Sequence, residues 1–186
     1  MKEKITNQAL RMLKKEGLKS LSMRKLAEHL SIDPMTIYYY FKNKDQLMAE
    51  LVEVVFRKFY ESLRLDEGIG NENPQKKLEF VLIEYRSFFI QYLDLSLYLI
   101  QSPRQEYPAV TMFNDRILDL ILALKPYENP ELTRDILVDF IHGNALSVSK
   151  GARTRSNVIA NQNLTDQFKE SFKILFNRLF YNTRLA

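Results

Sequence analysis

The sequence predicts an all-α protein, and three observations predict it. Apolar residues recur at three- and four-residue spacing along almost all of the 186 residues, the period of one helix face. No run of β-branched residues alternates strictly with polar ones between turn residues, as a half-buried strand requires. One start signal repeats at Asp33-Pro34, Asn73-Pro74 and Asn129-Pro130: a capping side chain, then a proline at the first helical position, where its missing N–H costs nothing.

The elements follow in order. A first helix carries Ile5, Ala9, Met12 and Leu13 on one stripe and stops at Gly17, the residue type suited to a left-handed helix end. Ser22 caps a second helix over 23–30, with Leu26, Ala27 and Leu30 apolar. Ser31-Ile32-Asp33 lead to a third, 34–40. Asn43 with Gln46 has the form of a capping box, and Leu47, Leu51, Val55 and Phe59 mark a long fourth helix ending before Gly68. Residues 66–73 form the clearest loop. A fifth helix, 74–92, is apolar nearly all round from Leu78, which predicts burial among other helices. Shorter helices span 95–101, ended by Pro103, and 108–124, ended by Pro126. An eighth runs from Pro130 to Lys150, and a polar stretch, 151–163, separates it from a last helix over 165–182.

Composition sets the outer limits. With 46% hydrophobic and 27% charged residues the chain has the makings of an ordinary core. It has no cysteine, which excludes disulfides, cysteine zinc sites and thiol nucleophiles and fits a reducing compartment. The start, Met1-Lys2-Glu3-Lys4, lacks the apolar stretch of a signal peptide or membrane span. The expected location is therefore cytoplasmic, with no membrane partner. Charge is unevenly placed: residues 1–50 hold ten Lys and Arg against six Asp and Glu, and the remainder seventeen of each. The whole excess of +4 thus sits in the first quarter, as a phosphate-binding module on a neutral body would have it.

The short connection between the second and third helices gives the pair the form of a helix-turn-helix. Ala27 is small enough for the third helix to cross closely, Ile32 fills the angle, and Ile37 points inward. Met35, Thr36, Tyr39 and Tyr40 are then turned outward, beside a helix start whose free N–H groups favour phosphate. Bundles that bind nothing also contain such hairpins, so geometry alone leaves both readings open. The residues go further. Ser22-Met23-Arg24-Lys25-Leu26-Ala27-Glu28-His29-Leu30, followed by the run from Thr36 through Tyr38-Tyr39-Tyr40-Phe41 to Leu47, closely resembles the DNA-binding domain of the TetR family of repressors. The match covers residues 1 to about 55 in order and spacing, and the rest resembles the family only in layout. The resemblance implies that Thr36, Tyr38 and Lys44 hold the DNA backbone, while Arg24, Pro34, Met35, Tyr39 and Tyr40 approach bases. Chemistry agrees in part: hydroxyls and an ammonium group fix register on phosphates, Arg24 can pair with a guanine, and Met35 can touch a thymine methyl. Tyr38 is expected both to pack on its domain and to present its hydroxyl. Ser31 departs from the family, where glycine is usual, so a tighter turn or slight strain is expected there.

One helix-turn-helix offers few base contacts, so a homodimer on a two-fold symmetric site is implied. The last helix presents Phe168, Phe172, Leu175, Phe176 and Leu179 on one stripe, and the eighth presents Ile136, Phe140, Gly143 and Ser147. The stripes serve either a dimer interface or the monomer core; the resemblance favours a four-helix dimer interface with Ile136, Phe140, Gly143, Phe168, Phe172 and Phe176. Tyr85, Phe89, Tyr92, Tyr98, Met112 and Phe113 suit an adaptable apolar pocket and equally an ordinary core. With His142 they are the candidates for a small apolar or amphipathic ligand. His142 and Asn144, polar within an apolar helix, need partners if buried; each serves either a ligand or a structural hydrogen bond. His29, the best companion of His142 for a metal, lies in the other domain, so no metal or other cofactor is expected. No phosphate-cradling glycine loop or catalytic triad pattern supports an enzyme. The expectation is thus an N-terminal three-helix helix-turn-helix DNA-binding domain, 1–50, and a C-terminal helical ligand-binding and dimerisation domain, 51–186. Together they make a ligand-responsive regulator, most simply a repressor, on double-stranded DNA. The alternative is a TetR-like adaptor or coactivator acting through a protein partner.

Overall fold

The computed structural model describes residues 1–64, 73–102, 106–127, 129–152 and 158–181, with side chains of 149–152 and 158–165 excepted. The elements are α1 (Lys2–Glu16), a 3-10 turn (Leu18–Ser20), α2 (Met23–Leu30), α3 (Pro34–Tyr40), α4 (Lys44–Ser62), α5 (Pro74–Gln91), α6 (Leu93–Gln101), α7 (Pro108–Leu124), α8 (Pro130–Ala152) and α9 (Val158–Tyr181). The described residues contain no strand, so the all-α expectation is met. The starts at Met23, Pro34, Pro74, Pro108 and Pro130 fall where capping and proline signals placed them. The expected loop over 66–72 lies outside the described residues, as does Pro103.

Two local expectations need correction. Gly17 has positive φ, 80°, but ψ is 172°, which continues the chain in an extended direction rather than a left-handed turn. A Cβ there would stand 3.1 Å from Asp94 Oδ2, so the site needs glycine for space and for φ alike. The polar stretch before the last helix is also shorter than expected, because 158–163 are already helical. Polarity alone does not end a helix, and neither glycine nor proline, the two weakest helix formers, falls between 158 and 181.

By packing, the chain divides into two compact units: residues 1–62 with 92–113, and residues 63–91 with 114–186. This is a division of contacts; the boundary expected at 50/51 is one of function and a separate matter. In unit 1, α1 packs on α2 and α4, α2 on α3, and α4 on α6. Its core holds Ile5, Leu26, Ile37, Phe41, Leu47 and Leu51, and Phe113 meets Phe56 and Phe59 of α4 edge-on, with centroids 6.3 and 5.4 Å apart. In unit 2, α8 packs on α5 and α9, and α5 is buried at Leu78, Val81, Leu82, Tyr85, Arg86, Phe88 and Phe89. The broad apolar face of α5 predicted this placement.

Candidate nucleic-acid interface

The reading head is built from its turn. Ser22 Oγ accepts from Lys25 N–H at 3.2 Å and caps α2. At the other end Ser31 takes φ 53° and ψ 45°, and Ser31 N–H and Ile32 N–H donate back to Glu28 O and Ala27 O, both at 3.1 Å. Serine therefore sits in the left-handed conformation that glycine adopts without strain. Asp33 Oδ1 then accepts from Met35 N–H at 2.7 Å, with Pro34 at the first helical position. At the start of α4, Asn43 Oδ1 accepts from Gln46 N–H at 2.8 Å. The reciprocal bond of the capping box lands one residue early, from Lys42 N–H to Gln46 Oε1 at 2.7 Å.

These caps fix which faces are inside. Ile37 is fully buried, whereas Met35 is 72% exposed and Tyr39 83%. Tyr38 is 45% exposed. Thr36 and Tyr40 are half-buried and Pro34 is exposed, and the Tyr39 and Tyr40 rings meet edge-on at 5.0 Å. Arg24 lies on the surface in an i,i+4 pair with Glu28, Nε to Oε1 3.3 Å; such exposed pairs are weak and readily exchanged for another acceptor. Lys44 Nζ is exposed and donates to Leu18 O at 3.4 Å. The 3-10 turn that supplies this carbonyl was not foreseen. All eight candidate residues thus belong to unit 1, on α2, α3 and the first turn of α4.

Unit 1 also includes α6 and the first turns of α7. Asp94 Oδ2 accepts from Leu18 N–H at 2.7 Å, and Lys14 Nζ stands 4.7 Å from the centre of the Tyr92 ring. Glu53 accepts from Ala109 N–H at 3.1 Å near the start of α7, where a carboxylate complements the helix dipole. The buried Tyr107 hydroxyl is pushed up to about 12 by burial, then by Tyr98, Asp45 and Glu53. The Tyr98 hydroxyl is raised by burial and Asp45, opposed by hydrogen bonds with Ser102 and Tyr107. Partners 56 or 76 residues apart, as Glu53 and Asp94 are from theirs, leave no local signal in sequence.

Of the ligand candidates, Tyr92, Tyr98, Met112 and Phe113 therefore lie in unit 1, with Met112 exposed and Phe113 in the core. Tyr85, Phe89 and His142 lie together in unit 2. Tyr85 Oη and His142 Nε2 are hydrogen-bonded at 2.8 Å, and the His142 ring lies 4.6 Å from that of Phe89. Burial pushes the Tyr85 hydroxyl well above its ordinary value. It pulls His142 below its own, with Asp139 opposing. Asn144 Oδ1 accepts from Arg86 Nε at 2.7 Å. Arg86 was not among the residues expected from sequence, although a lone arginine in the apolar run from Leu78 is a signal of its own.

Of the dimer candidates, Phe140, Phe168, Phe172 and Phe176 form a ladder inside one chain, with successive centroids 5.8, 5.8 and 5.9 Å apart. Phe168, Phe172 and Phe176 are buried there without a second copy, Ile136 is half-buried and Gly143 is exposed. A Cβ added at Gly143 meets nothing within 4 Å. The outward residues of α9 include Ile174, 61% exposed, Arg178 and Tyr181.

Residues 5–51 match the bacterial regulatory proteins of the tetR family. Among curated relatives, an uncharacterized HTH-type transcriptional regulator of Haemophilus influenzae is 42% identical over 64 residues, 34% of each chain. Tetracycline repressor protein class E of Escherichia coli is 39% identical over 56 residues, 30% of this chain and 26% of that one. The match thus spans about a third of those relatives or less. In fold the chain is similar to BioQ of Mycobacterium smegmatis, TM-score 0.72 at 15% identity over 98% of this chain and 99% of that one. It is similar also to BioQ with its natural double-stranded DNA operator, TM-score 0.73 at 16% identity over 97% and 98%. A TetR variant from Acinetobacter baumannii AYE in complex with minocycline gives TM-score 0.73 at 20% identity over 94% and 93%. Capped turn, buried Ile37 and exposed reading face define a helix-turn-helix protein. The likeness to the tetR family of bacterial regulatory proteins lies in residues 5–51.

Proposed function

We propose that this regulator is a repressor that binds a dyad-symmetric operator as a homodimer and releases it when a small apolar or amphipathic molecule binds its C-terminal helices. The observation that carries the reading is the division of α3 into a buried Ile37 and an exposed Met35 and Tyr39 beside a capped start. Apolar side chains left in water at such a helix face suit a groove that offers thymine methyls and base edges. Thr36, Tyr38 and Lys44 set the register on phosphates, and Arg24, Pro34, Met35, Tyr39 and Tyr40 approach bases. A solved relative in fold is bound to its operator and another to minocycline, which supports DNA as the target and a small molecule as the signal.

Two copies meet through α8 and α9. Gly143 permits close approach of a partner helix, Ile174 supplies apolar surface, and the ladder of Phe140, Phe168, Phe172 and Phe176 backs them as a rigid wall. The ligand is received in unit 2 by Tyr85, Phe89 and His142. In unit 1, Asp94 ties α6 to the turn that precedes α2, and Glu53 ties the start of α7 to α4.

The test is binding of the full chain to duplex DNA from its own upstream region across a salt series. Repression through an operator requires affinity that falls steeply with salt, prefers one dyad-symmetric sequence and is carried by a dimer in sedimentation. Weak binding without sequence preference overturns it and supports the protein-partner alternative.

A further inference from the structure

Arg86 lies in the interior of unit 2 and is 6% exposed. Arginine stays protonated in proteins, so this is a buried positive charge. Its surroundings stabilise it only in part. Nε donates to Asn144 Oδ1 at 2.7 Å, and the guanidinium carbon stands 4.4 Å from the centre of the Phe168 ring. Nη2 is buried with no hydrogen-bond partner, and no carboxylate of the described residues pairs with the group. Burial is the one influence on its pKa, downward, with no acid acting against it. A buried charge held by a neutral amide and a ring face, with a donor left over, lacks its counter-ion.

We propose that Arg86 is the anion receptor of unit 2 and takes the carboxylate of a small apolar acid on Nη2. Asn144 holds the other edge of the guanidinium and Phe168 fixes its plane. A single negative charge is the match for a single buried guanidinium. An apolar body is the match because the guanidinium lies against Phe168, whose ring stacks on Phe140 and Phe172. The planar fork favours the two oxygens of a carboxylate. This assignment rests on the reading that unit 2 receives a small molecule and names that molecule's class.

The experiment titrates the full chain calorimetrically with same-shape pairs that differ in charge: phenylbutyrate against phenylbutyramide, and decanoate against decanamide. The acids bind wild type more tightly than the amides. Arg86→Met weakens the acids by about 10- to 100-fold and leaves the amides unchanged, and Arg86→Lys recovers part of the loss. Arg86→Gln, which keeps a donor toward Asn144, is read beside Arg86→Met in case the latter fails to fold. Acids that bind no better than amides, or an acid preference that survives both neutral variants, overturn the assignment. So does a variant that binds no acid differently but loses the dimer in sedimentation, since the counter-ion is then a carboxylate of a second copy. Operator affinity separates this proposal from the one beneath it. Amides that bind and release operator regardless of Arg86 leave ligand response standing without the anion site. Acids that bind through Arg86 and leave operator affinity unchanged leave the site standing without the response.

Discussion

Ser31 holds φ 53° at the end of α2, where a side chain costs about 1–2 kcal/mol that glycine does not. Glycine returns part of this through the freedom of the unfolded chain, about 0.4–1 kcal/mol. Ser31→Gly is therefore expected to raise stability by about 0.5–1 kcal/mol, read as a shifted urea midpoint at unchanged slope. A midpoint that falls contradicts strain at this turn. Tyr38→Phe and Lys44→Ala should weaken all DNA sequences alike, because both groups are assigned to phosphates. Arg24→Ala should relax discrimination at one base pair by about 1–3 kcal/mol, and an equal loss on random DNA would move Arg24 to the backbone class. His142 carries a pH consequence. Its folded pKa lies below the ordinary value of about 6.5, because burial outweighs Asp139. Above that value both states are neutral; as pH falls through and below it the unfolded chain takes the proton first, and stability is lost. His142→Gln should flatten this part of the stability curve between about pH 7.5 and 5.5 (about one unit either side of 6.5), and a curve unchanged by the substitution contradicts the assignment.

At the scale of elements, periodicity and caps were enough to place the helices of the helix-turn-helix, since a cap acts over two or three residues and both partners lie close in sequence. Asp33 with Met35, and Asn43 with Gln46, are of this kind. Periodicity was insufficient for α9, where Phe168, Phe172 and Phe176 form an apolar stripe that suits a core or an interface equally; within one chain all three are already buried. The two faces of α8 and α9 can therefore be separated by experiment. Phe172→Glu should unfold the chain by burying an unpaired charge, whereas Ile174→Glu should leave it folded and dissociate the dimer. Gly143 sharpens the contrast. Glycine inside a helix is about 0.5–1 kcal/mol worse than alanine, and a Cβ at this position meets nothing in the chain. Gly143→Leu should preserve the folded monomer and weaken self-association in sedimentation; unchanged association would remove α8 from the interface.

For the whole molecule, the excess positive charge lies in the first fifty residues, so operator affinity should fall as a power of salt concentration, with Lys44→Ala lowering the slope by about one per copy. Linkage adds a second requirement: a molecule that lowers operator affinity must bind the operator complex less tightly by the same factor, which calorimetry with and without DNA measures. The sequence by itself determined the helical class, the order of the helices and the exposed face of α3, because each depends on residues a few positions apart. Tertiary structure alone decided that Asp94 and Glu53 bring α6 and the start of α7 into the N-terminal unit. It alone separated the buried face of α9 from its outer face, and it alone left Arg86 buried with no acid among the described residues paired to it. Burial and long-range hydrogen bonds depend on which distant segments pack together, and a helical period marks an apolar face without naming what will cover it.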